Sequence, residues 1–468
     1  MNKIQSIGLG LLLVGAIGAA QVVPPSNRLQ SLSKALPPVG QNVEMKTLGI
    51  QLLATNQKAP KADQDGPVFK LYYPGDLDRR STDDPAYAGK YPGVHLNVPL
   101  KAQPSAVNFL FLSDQPERIL DDRKRTPAAT PGSAEPGPGA TGIYARSPIP
   151  GGSTVRVLVD HTNGTKRPLR FDLAWVSRKP GFLTVRKRSL SVHQDSVAAG
   201  NRAFSEMAEM VVEPRRSLEA DSGIALVSQL LKPEDTLVLH QEYFSSAPGD
   251  LAAIVSEVDE GFADQKSKLD LLPVLHSIVW KEEEERLGKF IDKGADPTRW
   301  NRIRQSFQHA RGHFPSPDRV ADVDYSVSSW SESEHPLQAY SKFESIPGVD
   351  VTVRQGDVAA VTDNRGKYGA KVGMRWNLKS LPPGCKEMAV LALNRGAVFG
   401  GRHRVTDGKR TACEVFHTPG KPGLLPKGWA CTLWRGPVQV GDQIQMWTEP
   451  MANTSVQLWY ALVPLPPQ

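Results

Sequence analysis

Three cysteines, Cys385, Cys413 and Cys431, are all that the 468 residues contain. So few exclude a disulfide-dense scaffold, and their spacing does not match the paired CxxC knuckles of a structural zinc site. An odd count leaves one thiol unpaired in a monomer; a single bridge is permitted, with the pair left open. Past residue 20 no apolar run reaches spanning length, so the mature chain carries no transmembrane helix. No GxSxG elbow, no Walker A loop and no GxGxxG after a strand occurs. The usual nucleophile and phosphate-cradle templates therefore find no anchor, and no catalytic residue, metal ligand or cofactor is assigned. The glycine-rich stretch from Gly396 to Gly401 lies between strand-like segments and reads as a hairpin. His309 and His313 share helical i,i+4 spacing, but Ala310 and Arg311 stand where a zincin helix needs its glutamate, so they read as capping or surface histidines. Net charge is missing too from everything before residue 336, where cations and anions balance.

What is present begins at the N-terminus. Lys3 precedes an apolar stretch from Ile4 to Ile17, and Gly18-Ala19-Ala20 closes it with small side chains. This is the pattern of a signal peptide over residues 1–20, cleaved after Ala20. The expectation is an exported protein, periplasmic, cell-surface or extracellular. Gly 40 and Pro 39 make turns frequent and long helices few.

The fold class expected is mainly β: two antiparallel β-sandwich domains joined by a short helical segment. Residues 21–65, with Pro24-Pro25 and Pro37-Pro38 and little periodicity, read as a disordered linker. Residues 66–265 read as the N-terminal sandwich. Val107, Phe109 and Phe111 interleave with Leu110 and Leu112, a strand apolar on both faces; Val155-Val157-Val159 and Leu169-Phe171-Leu173-Trp175 alternate more cleanly. Asn163-Gly164 between them predicts a type I′ hairpin, favoured over a glycosylation sequon at Asn163-Gly164-Thr165. The Pro/Gly-rich stretch between Arg123 and Gly142 reads as a solvated insertion, and Ala198 to Val211 as one short helix. Residues 266–335 are the helical connection: Glu282 to Glu285 precede Arg286 and Lys289, and Asp296-Pro297 caps a second helix that Gly312 and Pro315 end. Residues 336–468 read as a second, basic sandwich.

That last segment holds sixteen Lys and Arg against nine Asp and Glu, so the whole formal excess of +7 lies there, with five of the nine tryptophans. Residues two apart on a strand share a face. Trp376 runs in phase with Val372 and Met374 and is expected in the core, whereas Trp434, Trp447 and Trp459 run in phase with Thr432, Gln445 and Gln457 and are expected outside. With Arg402, Arg404 and Arg435 they form the candidate ligand-binding set: indoles stack on sugar rings while guanidinium groups hold anions. The partner expected is an anionic or glycan cell-envelope polymer. No nucleic acid is expected, because an exported protein meets little of it, and nothing in the sequence sets an oligomeric state. Two rivals stand beside this non-enzymatic reading, a secreted polysaccharide hydrolase and a structural module of a surface assembly.

Several segments also resemble the β-rich region of exported bacterial envelope proteins that often carry a copper-amine-oxidase-like N-terminal stalk domain. They are Phe111-Leu112-Ser113-Asp114-Gln115-Pro116-Glu117, Gly142-Ile143-Tyr144, Val157 to Thr165, Arg311-Gly312-His313-Phe314-Pro315, Gly366-Lys367-Tyr368-Gly369 and Leu393 to Gly401. The stalk domain itself has no counterpart in this sequence, and the resemblance implies no activity, copper or quinone cofactor, or catalytic residue.

Overall fold

A computed structural model describes residues 27–54, 69–73, 94–95, 100–114, 118–119, 142–206, 214–257, 311–330, 338–341, 346–355, 358–364, 367–396, 398–408, 412–417, 423–451 and 458–467. The expected signal peptide, the insertion over 123–141, the helices expected within 266–310 and His309 lie outside these residues.

Alternating and continuous apolar runs put the described chain into strands almost throughout. In order come α1 (Asn27–Ala35), β1 (Asn42–Glu44), a 3-10 turn (Met45–Leu48), β2 (Ile50–Ala54), β3 (Phe69–Tyr73), β4 (Val94–His95), β5 (Lys101–Ala102), β6 (Phe109–Ser113) and β7 (Arg118–Ile119). There follow β8 (Gly142–Ile149), β9 (Ser153–Asn163), β10 (Leu169–Ser177), β11 (Gly181–His193), α2 (Ser196–Glu206), β12 (Arg216–Leu218), β13 (Gly223–Leu231), β14 (Thr236–Ser245) and β15 (Gly249–Glu257). Beyond these are β16 (Arg311–Pro315), β17 (Arg319–Ser326), β18 (Gln338–Ser341), β19 (Ile346–Gln355), β20 (Val358–Asn364), β21 (Val372–Ser380) and β22 (Glu387–Asn394). The last are β23 (Val398–Phe399), β24 (Gly401–Thr406), β25 (Cys413–His417), β26 (Leu425–Pro426), β27 (Trp429–Pro437), β28 (Gln443–Pro450) and β29 (Leu458–Leu465).

Four large sheets result. A nine-stranded sheet runs β12-β11-β14-β9-β6-β16-β19-β20, with β7 also on β9, and faces a four-stranded sheet, β13-β10-β15-β8. Val155, Val157 and Val159 of the first meet Phe171, Leu173 and Trp175 of the second in one core. A second pair comprises β1-β27-β22-β29-β18-β4 and β25-β24-β28-β21-β17-β5. Its core contains Trp376, Met374, Val390 and Leu462, and it also takes in Leu110, Leu112, Leu158 and Phe314 from the other face of the nine-stranded sheet. That sheet is thus covered on both faces, which is why β6 is apolar on both.

The mainly-β expectation holds, and several finer ones are corrected. Residues 27–54 are not an unstructured linker: Leu29 and Leu32 of α1 are buried, and β1 pairs antiparallel with β27. Prolines 37 and 38 interrupt the pattern without preventing burial on either side. The 336 boundary does not divide the sandwiches. β1, β4, β5 and β17 lie before it yet join the second pair, while β19 and β20 lie after it yet join the nine-stranded sheet. Residues 311–330 of the expected helical connection are strands β16 and β17. The sheets are mixed, since β6 with β9 and β17 with β21 pair in parallel. Asn163-Gly164 is no hairpin: β9 pairs with β14 and β6, and β10 with β13 and β15, so the turn carries the chain between facing sheets. Asn163 is fully buried, its Nδ2 donating to the carbonyls of Arg167 and Leu231, which removes the sequon from glycosylation.

Candidate functional site

The structure divides the six candidate residues. Trp434 and Trp459 are buried, at 6% and 2% exposed. Register explains Trp434: Val390 pairs with Trp434 and Leu391 with Thr432, so a bulge leaves Leu433 unmatched and breaks the alternation. Trp434 therefore shares the inner face with Val390 and Leu462. Trp459 does point away from Tyr460, whose hydroxyl lies 3.0 Å from His403 Nε2 in the facing sheet. That outer face is closed instead by α1, which packs on β29 and shares its apolar cluster. Arg435 is exposed and pairs through Nη2 with Glu387 at 2.9 Å, on a different sheet from Arg402 and Arg404.

Arg402, Arg404 and Trp447 do come together. β24 lies beside β28 with Arg404 opposite Trp447 and Arg402 opposite Glu449; β21 lies on the other side with Gly373 opposite Trp447. A Cβ on Gly373 would stand 2.9 Å from Trp447 Cε3, so the half-buried indole rests on that glycine. These residues line a cleft of about 230 Å³ together with Gln103, Ser105, Asp318, Lys371 and Glu449. The cleft sits where the β24-β28-β21 sheet approaches the nine-stranded one.

Its floor is charged. Arg156 on β9 is 1% exposed and donates to Glu242 Oε1 at 3.0 Å, to Asp318 Oδ1 at 2.8 Å and to the Gly369 carbonyl at 3.0 Å. Gly369 takes φ +69, and a Cβ there would stand 2.9 Å from Leu110, so the turn demands glycine twice over. Glu449 accepts from Arg402 Nη2 at 2.6 Å, while its other oxygen, buried, has no hydrogen-bond partner among the described residues. Burial alone would raise its pKa, but Lys371, then Arg402 and Arg156, outweigh that and hold it down at about 2. Lys371 is half-buried. Glu449 draws its pKa up, yet burial and the charges of Arg156 and Lys187 prevail, leaving the amine below the ordinary lysine value. Arg404 is exposed, with Glu414 at 3.7 Å. Behind the floor His240 stacks on Phe204 with ring centroids 5.1 Å apart.

Strand phase would have reached Glu449, two residues beyond Trp447, but nothing local marks Asp318, Lys371 or Arg156, which pairing brings in from afar. The histidines noted in the sequence lie elsewhere. His403 and His417 are fully buried with ring centroids 5.0 Å apart, and His313 is half-buried on a strand rather than on a helix. Ser113 Oγ lies 2.8 Å from His161 Nε2, but both are fully buried, so substrate cannot reach this pair. The three cysteines are unpaired, and no cluster of three or more His, Cys, Asp or Glu fit to hold a metal occurs among the described residues. Four of the segments behind the family resemblance converge beneath the cleft: β6, β9 and β16 are neighbouring strands, and Lys367-Tyr368-Gly369 turns over Leu110 and Leu158.

No family model and no curated protein matches the chain. Among solved structures, the tandem CBM22-1–CBM22-2 domain of Xyn10C from Paenibacillus barcinonensis is 9% identical, covering 72% of this chain and 99% of that one at a TM-score of 0.14. The tandem CBM51 modules of a family 98 glycoside hydrolase from Streptococcus pneumoniae are 7% identical, covering 67% and 82% at 0.14. The CUB1-EGF-CUB2 domains of rat MASP-1 are 6% identical, covering 68% and 97% at 0.16. Superposition this poor carries no argument about ligand or activity.

Proposed function

We propose that the protein is an exported, non-enzymatic envelope protein that binds a glycan in the cleft over Trp447. The observation that carries this reading is a partly open indole seated on Gly373 and flanked by Arg402, Arg404 and Gln103. A sugar ring offers an apolar C–H face to such a platform and hydroxyls around its edge, which fixed arginine, glutamine and carboxylate groups bind directionally. Export rests on the signal-peptide pattern of residues 1–20.

The hydrolase reading has one feature in its favour, since Asp318 and Glu449 line the same cleft. Glycoside hydrolysis by a carboxyl pair needs one member kept protonated near neutral pH. Glu449 is held in the opposite state, at about 2, and Asp318 is clasped by Arg156. The structural-module reading gains nothing from the described surface: among the described residues the exposed large apolar ones, Val39, Leu230, Val398 and Val440, are single side chains on separate segments.

Binding to purified wall polysaccharide, measured by sedimentation or calorimetry, tests the proposal. Trp447→Ala is expected to lower affinity about tenfold or more, on the scale of one aromatic anchor. Wild-type affinity in that variant, or release of reducing sugar by the wild type, would count against it.

A further inference from the structure

We infer that the ligand of this cleft is a monoanionic sugar, one acidic group beside the stacked ring, and that Lys371 reads that group. The inference rests on the saccharide reading above and adds a substrate class to it.

Ion pairing around the cleft leaves one cation over. Arg156 is committed to Glu242 and Asp318, Arg402 to Glu449, and Arg404 has Glu414 at 3.7 Å. Lys187 also reaches Glu242, at 3.5 Å. Lys371 has no carboxylate within ion-pair distance among the described residues, although it is half-buried and lines the cleft. A half-buried ammonium that feels Glu449 and Asp318 only beyond ion-pair distance is incompletely compensated, and an incoming anion relieves it. One surplus charge fits one negative group; a phosphomonoester, nearer two charges at neutral pH, exceeds it.

Lys371 is also held ready. Its N–H donates to Asp318 Oδ1 at 3.2 Å, and its carbonyl accepts from the Arg319 N–H at 2.9 Å, so its backbone is fixed on both sides by the segment that begins β17. Only the side chain needs ordering on binding, which keeps the entropic cost low. The cleft volume of about 230 Å³ corresponds to roughly eight waters at ~30 Å³ each, the size of one monosaccharide unit with its substituent. Trp447 and Lys371 thus divide the ligand between them, ring to the indole and acid to the amine. A uronate carboxylate and a sugar sulfate ester share this chemistry.

Calorimetry of the full chain tests it, with soluble oligosaccharides in matched pairs: galactose and galacturonate, glucose and glucuronate, mannose and mannuronate, and a sulfated galactose oligomer. At least one acidic member is expected to bind about tenfold more tightly than its neutral partner, the scale of one charge-assisted hydrogen bond. Lys371→Met should abolish that preference, and Lys371→Arg should restore most of it. A stronger sulfated than uronate arm assigns the acid as sulfate; the reverse assigns a carboxylate. Equal binding of neutral and acidic members, or a preference that survives Lys371→Met, overturns the monoanion inference and leaves the saccharide reading standing. No binding by any member overturns both.

Discussion

Arg156 has almost no contact with water, yet it carries a full charge that three acceptors share: Glu242, Asp318 and the Gly369 carbonyl. Burial favours losing that charge, and Asp318, Glu449 and Glu242 more than compensate, so its pKa lies above the ordinary arginine value. Removing one member of such a cluster strands the others, at a cost of about 3–5 kcal/mol. Arg156→Ala is therefore expected to lose stability of that order in denaturant titrations, far more than Arg435→Ala, whose surface pair with Glu387 is worth under about 1 kcal/mol. Trp447 and Trp459 show what was legible at this scale. Alternation states which way a side chain points relative to its neighbours, and for both it was right. It does not state what lies on that side: a cleft for Trp447, a helix from the far end of the chain for Trp459. Charge partners were illegible for the same reason, since Arg156 and Asp318 are 162 residues apart.

At the scale of elements, the β24-β28-β21 triplet makes the site, and its weak point is Gly373. A Cβ there would stand 2.3 Å from the Met446 carbonyl oxygen as well as against the indole, and neither backbone strand can yield. Gly373→Ala is expected to cost about 1–3 kcal/mol by overpacking, read as a lowered Tm, and to tilt Trp447 out of its seat so that glycan affinity falls with it. The helix α1 is the second such element. Its apolar residues recur at Leu29 and Leu32, a short signal that Pro37-Pro38 outweighs in a composition-based reading. Leu32→Asp is expected to lift α1 from β29, shifting tryptophan emission to the red and raising acrylamide quenching, since it uncovers the face to which Trp459 belongs. Unchanged emission would mean that something else covers that ring. The strands themselves were readable from period-two patterns; their partners were not, because Asn163-Gly164 turns between sheets in the same residues that elsewhere turn within one.

At the scale of the molecule, strands from both halves of the sequence are interleaved in the sheets, so the two sandwiches are expected to unfold together. A single denaturant transition with coincident fluorescence and circular dichroism is the outcome that checks this, and two separated transitions would contradict it. Acid should undo the whole. Burial, opposed by Glu449 and Glu242, holds His240 down to about 3, burial holds His417 to about 4, and His403 is likewise well below its ordinary value. As pH falls from 6.5, the unfolded chain takes up protons that the folded chain refuses, so each histidine withdraws stability down to its own folded pKa. Glu449 adds the same sign lower down: its contribution, complete above about 4.5, is lost as pH falls toward about 2. Calorimetry should find Tm level between pH 7 and 8 and dropping steadily from 6.5 to 4.

Asn42 donates from its side chain to the carbonyl of Gly423, 381 residues further on, and β1 pairs with β27. Translation runs from the amino end, so β1 leaves the ribosome long before the strand it pairs with. The β1-β27 pairing therefore closes late, a long-range contact whose loop-closure entropy must be met before it contributes, so early collapse leaves this sheet incomplete.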